Sequence, residues 1–266
     1  MPSYTKAALQ SPDGDLVLYS AQPWQGAPRP VIVMIHGALR WSEPLSDWAD
    51  DLADVADLVL IDMPGHGRSD PILPASVEVL ANRVARGVRV GLADREVLLV
   101  GESLGGLVAL TIAGLADPGP VRAVLAFDPP LATKKLRSTH SNLKKYMREH
   151  PAESAFIQSL AFEVFGMSGE AIEERIYYPV IGRLRVPAMI VTGDQALYPH
   201  HARSAVACLV DEVDRFVLGE FYADKVAVRQ IEDGDHRLLT HRKPECLALI
   251  KEMLAQITAT SGPRPD

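Results

Sequence analysis

The stretch VLLVGESLGGLVAL, residues 97–110, passes from an apolar, β-branched run through two glycines into a segment of helical character, and one hydroxyl, Ser103, marks the change of period. A Gly-x-Ser-x-Gly placed between a buried strand and a helix is read as an elbow, a turn so tight that the residues flanking the serine must be nearly free of side chain. Gly101 and Gly105 meet that demand, and Gly106 lets the helix pack close. Such a turn lifts the Ser103 hydroxyl clear of the backbone. It also aims the unpaired N–H of Leu104, at the helix N-terminus, into the same space, where negative charge is favoured. The plainer alternative is an ordinary capping serine at a glycine-rich helix start; the strand and helix on either side favour the elbow.

Outward from this point, short apolar runs alternate with longer segments of helical period. DLVLYS (15–20), VIVMIHG (31–37), ADLVLIDMPG (56–65), VLLVGES (97–103), VRAVLAFDPP (121–130) and PAMIVTGD (187–194) read as buried strands ending at turn-forming residues. Helical patterns fill SEPLSDWADDLADV, ASVEVLANRVARGVRVGL, SLGGLVALTIAGLA and HHARSAVACLVDEV. The alternation predicts an α/β architecture, a mostly parallel sheet with crossover helices on both faces. Residues 131–186 are too long for a normal connection and mostly helical in pattern, so they are expected to form a helical lid over one end of the sheet. The core is then 1–130 with 187–260, and 261–266 reads as a disordered tail.

The 266 residues, 47% hydrophobic, suffice for one core, and a net charge of −7 speaks against a nucleic-acid partner. No apolar run approaches the roughly 20 residues needed to span a bilayer. Cys208 and Cys246 have no ligand spacing and the N-terminus carries no secretory pattern, so a cytoplasmic protein is expected. No Gly-x-Gly-x-x-Gly follows a strand and there is no P-loop, which leaves no support for a nucleotide. The run EDGDH (232–236) holds acids and a histidine too close in sequence to converge on one ion, so neither metal nor cofactor is expected.

Three further stretches, MIHGAL (34–39), DMPGHGRSD (62–70) and DGDHRLL (233–239), together with the elbow, make the sequence resemble the α/β-hydrolase superfamily over nearly its whole length. The resemblance implies the α/β-hydrolase fold. It further implies that Ala38, after His36-Gly37, donates the second oxyanion N–H beside that of Leu104, and that His236 is the base for Ser103. The acid departs from the family pattern: its common place falls on Ala196, which cannot orient an imidazole. Asp128, in LAFDPP at the end of the preceding strand and followed by Pro, as in relatives that look like pancreatic lipase, and Asp194 in VTGDQALYP remain as candidates.

The activity implied is hydrolysis of a carboxylic ester or thioester through an acyl-enzyme on a small-molecule acyl substrate. C–C bond hydrolysis, lactone opening and acyl transfer use the same constellation. A weakly catalytic ligand-sensing protein is the alternative of another class, kept open by Ala196. Within the expected lid, Phe156, Phe162 and Phe165 are candidates for the acyl pocket. Lys134, Lys135, Arg137, Lys144, Lys145 and Arg148, against the single acid Glu149, read either as a solvated face or as a surface attracting an anionic substrate or an acidic carrier protein.

Overall fold

A computed structural model of the chain describes residues 5–9, 14–20, 29–151, 154–168, 171–195 and 207–260. In chain order its elements are β1 (Thr5–Leu9), β2 (Leu16–Ser20), β3 (Val31–Ile35), a 3-10 turn (Glu43–Trp48) leading into α1 (Ala49–Leu52), β4 (Asp57–Asp62), α2 (Val77–Gly91), β5 (Val97–Glu102), α3 (Leu104–Ala113) and β6 (Val121–Phe127). There follow α4 (Arg137–Glu149), α5 (Ser154–Glu163), a small hairpin of β7 (Met167–Ser168) and β8 (Ala171–Ile172), α6 (Tyr178–Gly182), β9 (Ala188–Gly193), α7 (Glu212–Phe221), β10 (Ala227–Ile231), α8 (Leu238–His241) and α9 (Lys243–Thr260).

Eight of the strands form one sheet in the order β1-β2-β4-β3-β5-β6-β9-β10. The pairs β1·β2 and β2·β4 are antiparallel, and from β4 to β10 every pair is parallel. Because side chains alternate across a strand, the β-branched runs feed two cores at once. Val31, Val33 and Ile35 point to the side covered by α2 and α3, whereas Ile32 and Met34 meet Trp48, Leu52 and the apolar face of α9. On the first side α2 starts where the Ser76 hydroxyl accepts the Val79 N–H at 3.2 Å, a normal N-cap. All ten residues of α3 are buried between the sheet and α2.

The structure adds β1 and β10 at the two sheet edges, neither of which the apolar periodicity had marked. β10 is largely exposed, with only Ile231 buried, so it carries little hydrophobic signal. The helix expected over HHARSAVACLVDEV is corrected in its described part: residues 207–211 are not helical, and α7 begins only at Glu212, where Asp211 caps it. The rest of that stretch, like the tail 261–266, lies outside the described residues. The segment 131–186 contains α4, α5 and α6, as its pattern suggested, and connects the carboxyl end of β6 to β9.

Candidate active site

In an open α/β sheet the carboxyl ends of parallel strands leave a crevice, and ligands bind there. Here β3, β5, β6 and β9 all deliver polar residues to that edge. Ser103 follows β5 with φ 57° and ψ −122°, a backbone state that a residue with a side chain adopts only under constraint. The constraint is visible on both sides: the Ser103 N–H donates to the Phe127 carbonyl at 2.8 Å, and its own carbonyl accepts from Leu107 at 3.1 Å. A Cβ on Gly101 would lie 2.3 Å from the Gly105 carbonyl oxygen, and one on Gly105 would lie 2.2 Å from that of Ile35. The strand end carrying Ala38 packs directly on the elbow, since a Cβ on Gly37 would sit 3.2 Å from the Ser103 Cβ. Ala38 and Leu104, the two candidate oxyanion donors, thus flank one serine.

His36 explains how that strand end is held. Its Nδ1–H donates to the Gly37 carbonyl at 2.8 Å and its Nε2 accepts the Met63 N–H at 3.0 Å, which requires the neutral ring. Burial, helped by the charge of His66 with its ring 5.2 Å away, lowers the His36 pKa to about 3. Asp62 ties the next loop: its carboxylate accepts from the Ser42 amide, the Ser42 hydroxyl and the Arg68 amide. His36 and Asp62 therefore hold the loops after β3 and β4 in place.

The two aspartates expected to compete for the acid separate clearly in space. Asp128, fully buried after β6, receives the His236 Nδ1–H on Oδ2 at 2.6 Å. The same oxygen accepts the Leu209 amide at 2.7 Å, while Oδ1 accepts the Val210 amide and the Thr192 hydroxyl, each at 3.0 Å. Four donors converge on one buried carboxylate, which is how a charge is kept inside a protein. Among the described residues Asp194, half-buried after β9, bonds no histidine, and its Oδ1 is buried with no hydrogen-bond partner. Ala196 lies outside the described residues. Asp235, beside His236 in the chain, turns away to His241.

Thr192, Leu209 and Val210 were not found by sequence reasoning. The one available signal was the spacing Asp211-x-x-Asp214, a capping box that both aspartates complete in the structure. Glu102, next to the nucleophile, is buried and paired with Arg40.

Two cavities share Arg40 and Trp41; Glu102 of the elbow lines the first, and Ser103 and His236 line neither. One, of about 350 Å³, is lined by His36, Glu102, Trp48 and Arg237; the other, of about 920 Å³, lies between Leu39, Gly65 and Leu73 and the inserted helices at Tyr146 and Phe156. Only Phe156 of the three phenylalanines lines the larger cavity. Phe162 is 43% exposed beneath the Arg175 guanidinium, and Phe165 is in the core. Of the three candidates, Phe162 and Phe165 do not line this cavity, because six residues on from Phe156 is about 240° round the axis and Phe165 lies beyond α5. The basic run divides likewise: Lys134, Lys145 and Arg148 are exposed, but Lys135 turns inward to Asp211 and Asp214. Among the described residues no helix is long and apolar enough to cross a membrane.

The alpha/beta hydrolase fold family matches residues 30–169. The chain belongs to that family. Within 97 aligned residues it is 37% identical to a pimeloyl-acyl-carrier-protein methyl ester esterase of Yersinia pestis, covering 35% of this chain and 34% of that one. It is 37% identical over 101 residues to a 2-hydroxy-6-oxononadienedioate/2-hydroxy-6-oxononatrienedioate hydrolase of Cupriavidus pinatubonensis, with 35% and 34% covered. The aligned stretch thus spans about a third of the curated relatives it matches. A thioesterase domain from the curacin biosynthetic pathway superposes with a TM-score of 0.63 at 18% identity, over 94% of this chain and 99% of the other, a likeness of fold.

Proposed function

We propose that this α/β-hydrolase cleaves a carboxylic ester or thioester through an acyl-enzyme intermediate. The observation that carries the reading is the buried Asp128 carboxylate, held by four donors, bonded to His236 at the sheet edge that also presents Ser103 on its strained turn. With Nδ1–H committed to Asp128, the His236 imidazole offers Nε2 as the acceptor for the Ser103 proton. The serine oxygen attacks the acyl carbon, and the oxyanion that forms is stabilised by the Ala38 and Leu104 amides. His236 returns the proton to the departing alcohol or thiol. Water repeats the sequence and releases the acid. The cavity at Phe156 suits the acyl chain. The relative named for an acyl-carrier-protein ester, with exposed Lys134, Lys145 and Arg148 on or beside α4, supports an acidic carrier as the partner presenting it.

The test is labelling by a fluorophosphonate probe together with hydrolysis of 4-nitrophenyl acetate. Ser103→Ala is expected to abolish both while leaving the fold intact. A loss of activity below about tenfold, roughly 1.4 kcal/mol of barrier, would remove Ser103 from the reaction.

A further inference from the structure

The two ends of the inserted segment meet on one buried aspartate. Lys135, seven residues after Asp128, places its Nζ 2.8 Å from Asp211 Oδ2 and against Asp214 Oδ2; Tyr178, which opens α6 near the other end, donates its hydroxyl to Asp214 Oδ1. Asp214 is wholly buried. Its Oδ2 also accepts the Asp211 amide at 2.8 Å, while Asp211 Oδ1 accepts the Val213 and Asp214 amides at 3.0 and 3.1 Å. Burial raises the Asp214 pKa. At Asp211 burial works in the same direction, but hydrogen bonds from Lys135 and the Asp214 amide outweigh it and hold the carboxyl below its usual range. Two carboxylates this close, out of water, are both ionised only with a cation between them, and Lys135 is placed to be it.

Directly before this cluster come Leu209 and Val210, whose amides grip the two oxygens of Asp128. A continuous path of bonds therefore runs from Lys135 through Asp211 and Asp214 to the turn 209–210, and on through Asp128 to His236. Lys135 touches neither the serine nor the histidine. We propose that Lys135 is a positioning residue: it fixes the turn whose two amides orient the acid of the site, and ties that turn to both ends of the inserted segment. In its kinetic part this rests on the ester-hydrolase reading of the same site.

Lys135→Met keeps the length of the side chain and removes its charge. With 4-nitrophenyl acetate, kcat is expected to fall by up to about a hundredfold, as for a misplacement of about 1 Å in a catalytic array, with KM little changed. Lys135→Arg should restore most of it. In an Asp128→Asn background, where the acid is already lost, Lys135→Met should change kcat by less than about twofold, because two changes on one path do not add. The far-downfield proton resonance of the His236–Asp128 hydrogen bond should shift or broaden in Lys135→Met, and this is read in the resting protein without any substrate. An unchanged kcat in folded Lys135→Met overturns the proposal, as does an equal loss of kcat in both backgrounds, which would mean general destabilisation. If Lys135→Met does not fold, Lys135→Met with Asp214→Asn removes one of the two buried carboxylates and leaves Asp211 capping the amides of residues 213 and 214; wild-type kcat and an unmoved resonance there overturn it equally. Should the wild type fail to hydrolyse the ester or take up a fluorophosphonate, the ester-hydrolase reading falls, while the resonance still decides the role of Lys135.

Discussion

Strands β6 and β9 lie side by side and each ends in an aspartate, yet Asp128 and Asp194 differ in every respect that matters for chemistry. Asp128 takes a left-handed turn at φ 48°, its N–H held at 2.7 Å by the Val191 carbonyl, and points its carboxylate into a ring of four donors. Asp194, at a bend directly after its strand, collects no comparable ring among the described residues. The difference teaches that an acid is placed by the donors brought to it. Three of those four donors come from residues 192–210, on the side of β9, so the second strand supplies the setting and the first supplies the charge.

The comparison breaks most visibly by substitution at the two ends. Asp128→Asn keeps the shape but presents the wrong group to His236 Nδ1, and turnover is expected to fall by at least about a hundredfold and by as much as about 10⁴. Asp194→Asn should leave turnover within about twofold, as for a change away from the bonded network. Steady-state kinetics on 4-nitrophenyl acetate, with thermal melts of both variants, decide the matter. The reverse pattern would move the acid to the β9 loop.

How far these features were legible differs from residue to residue. The Ser103 turn could be read outright because strand, glycines and helix are contiguous in 97–110. Asp128 could only be nominated, since its partner His236 is 108 residues away and nothing local to LAFDPP distinguishes an acid from a turn former. Leu209 and Val210 were hidden for a deeper reason: they act through main-chain amides, which carry no residue signature, inside a stretch whose apolar spacing imitates a helix. Lys135 was hidden by its neighbours, an inward cation in a basic run of which Lys134, Lys145 and Arg148 face solvent. β10 was missed because an exposed edge strand shows no alternation of apolar residues.

A pH series sharpens the comparison only where the fold survives, and His36 sets that limit. Its folded pKa, about 3, lies below the roughly 6.5 of an unfolded histidine. Between those values the unfolded chain binds a proton that the folded chain refuses. Stability from this source is therefore complete above about pH 6.5 and falls as the pH drops, by up to about 1.4 kcal/mol per unit. Urea denaturation from pH 7.5 to 5 should show this loss in wild type and in Asp128→Asn alike. A stability flat across that range would mean that His36 accepts a proton in the folded state, against the bond it takes from the Met63 amide at 3.0 Å.

Thr192 gives a small but discriminating effect, because it belongs to β9 yet serves the acid of β6. Its hydroxyl has one hydrogen and three acceptors in reach: Asp128 Oδ1 at 3.0 Å, the Val210 carbonyl at 3.2 Å and the Gly193 carbonyl at 3.3 Å. The carboxylate is both the nearest and the only charged one, so it receives the bond. Thr192→Val preserves the shape and deletes that donor, leaving Asp128 with the Val210 and Leu209 amides and with His236. Stability is expected to drop by about 1 kcal/mol, the net worth of one hydrogen bond, and turnover by less than about tenfold. Thr192→Ser should retain both. If Thr192→Val instead loses as much turnover as Asp128→Asn, the hydroxyl and not the pair of amides is what orients the acid, and the setting supplied by residues 209–210 is secondary to a single side chain on β9.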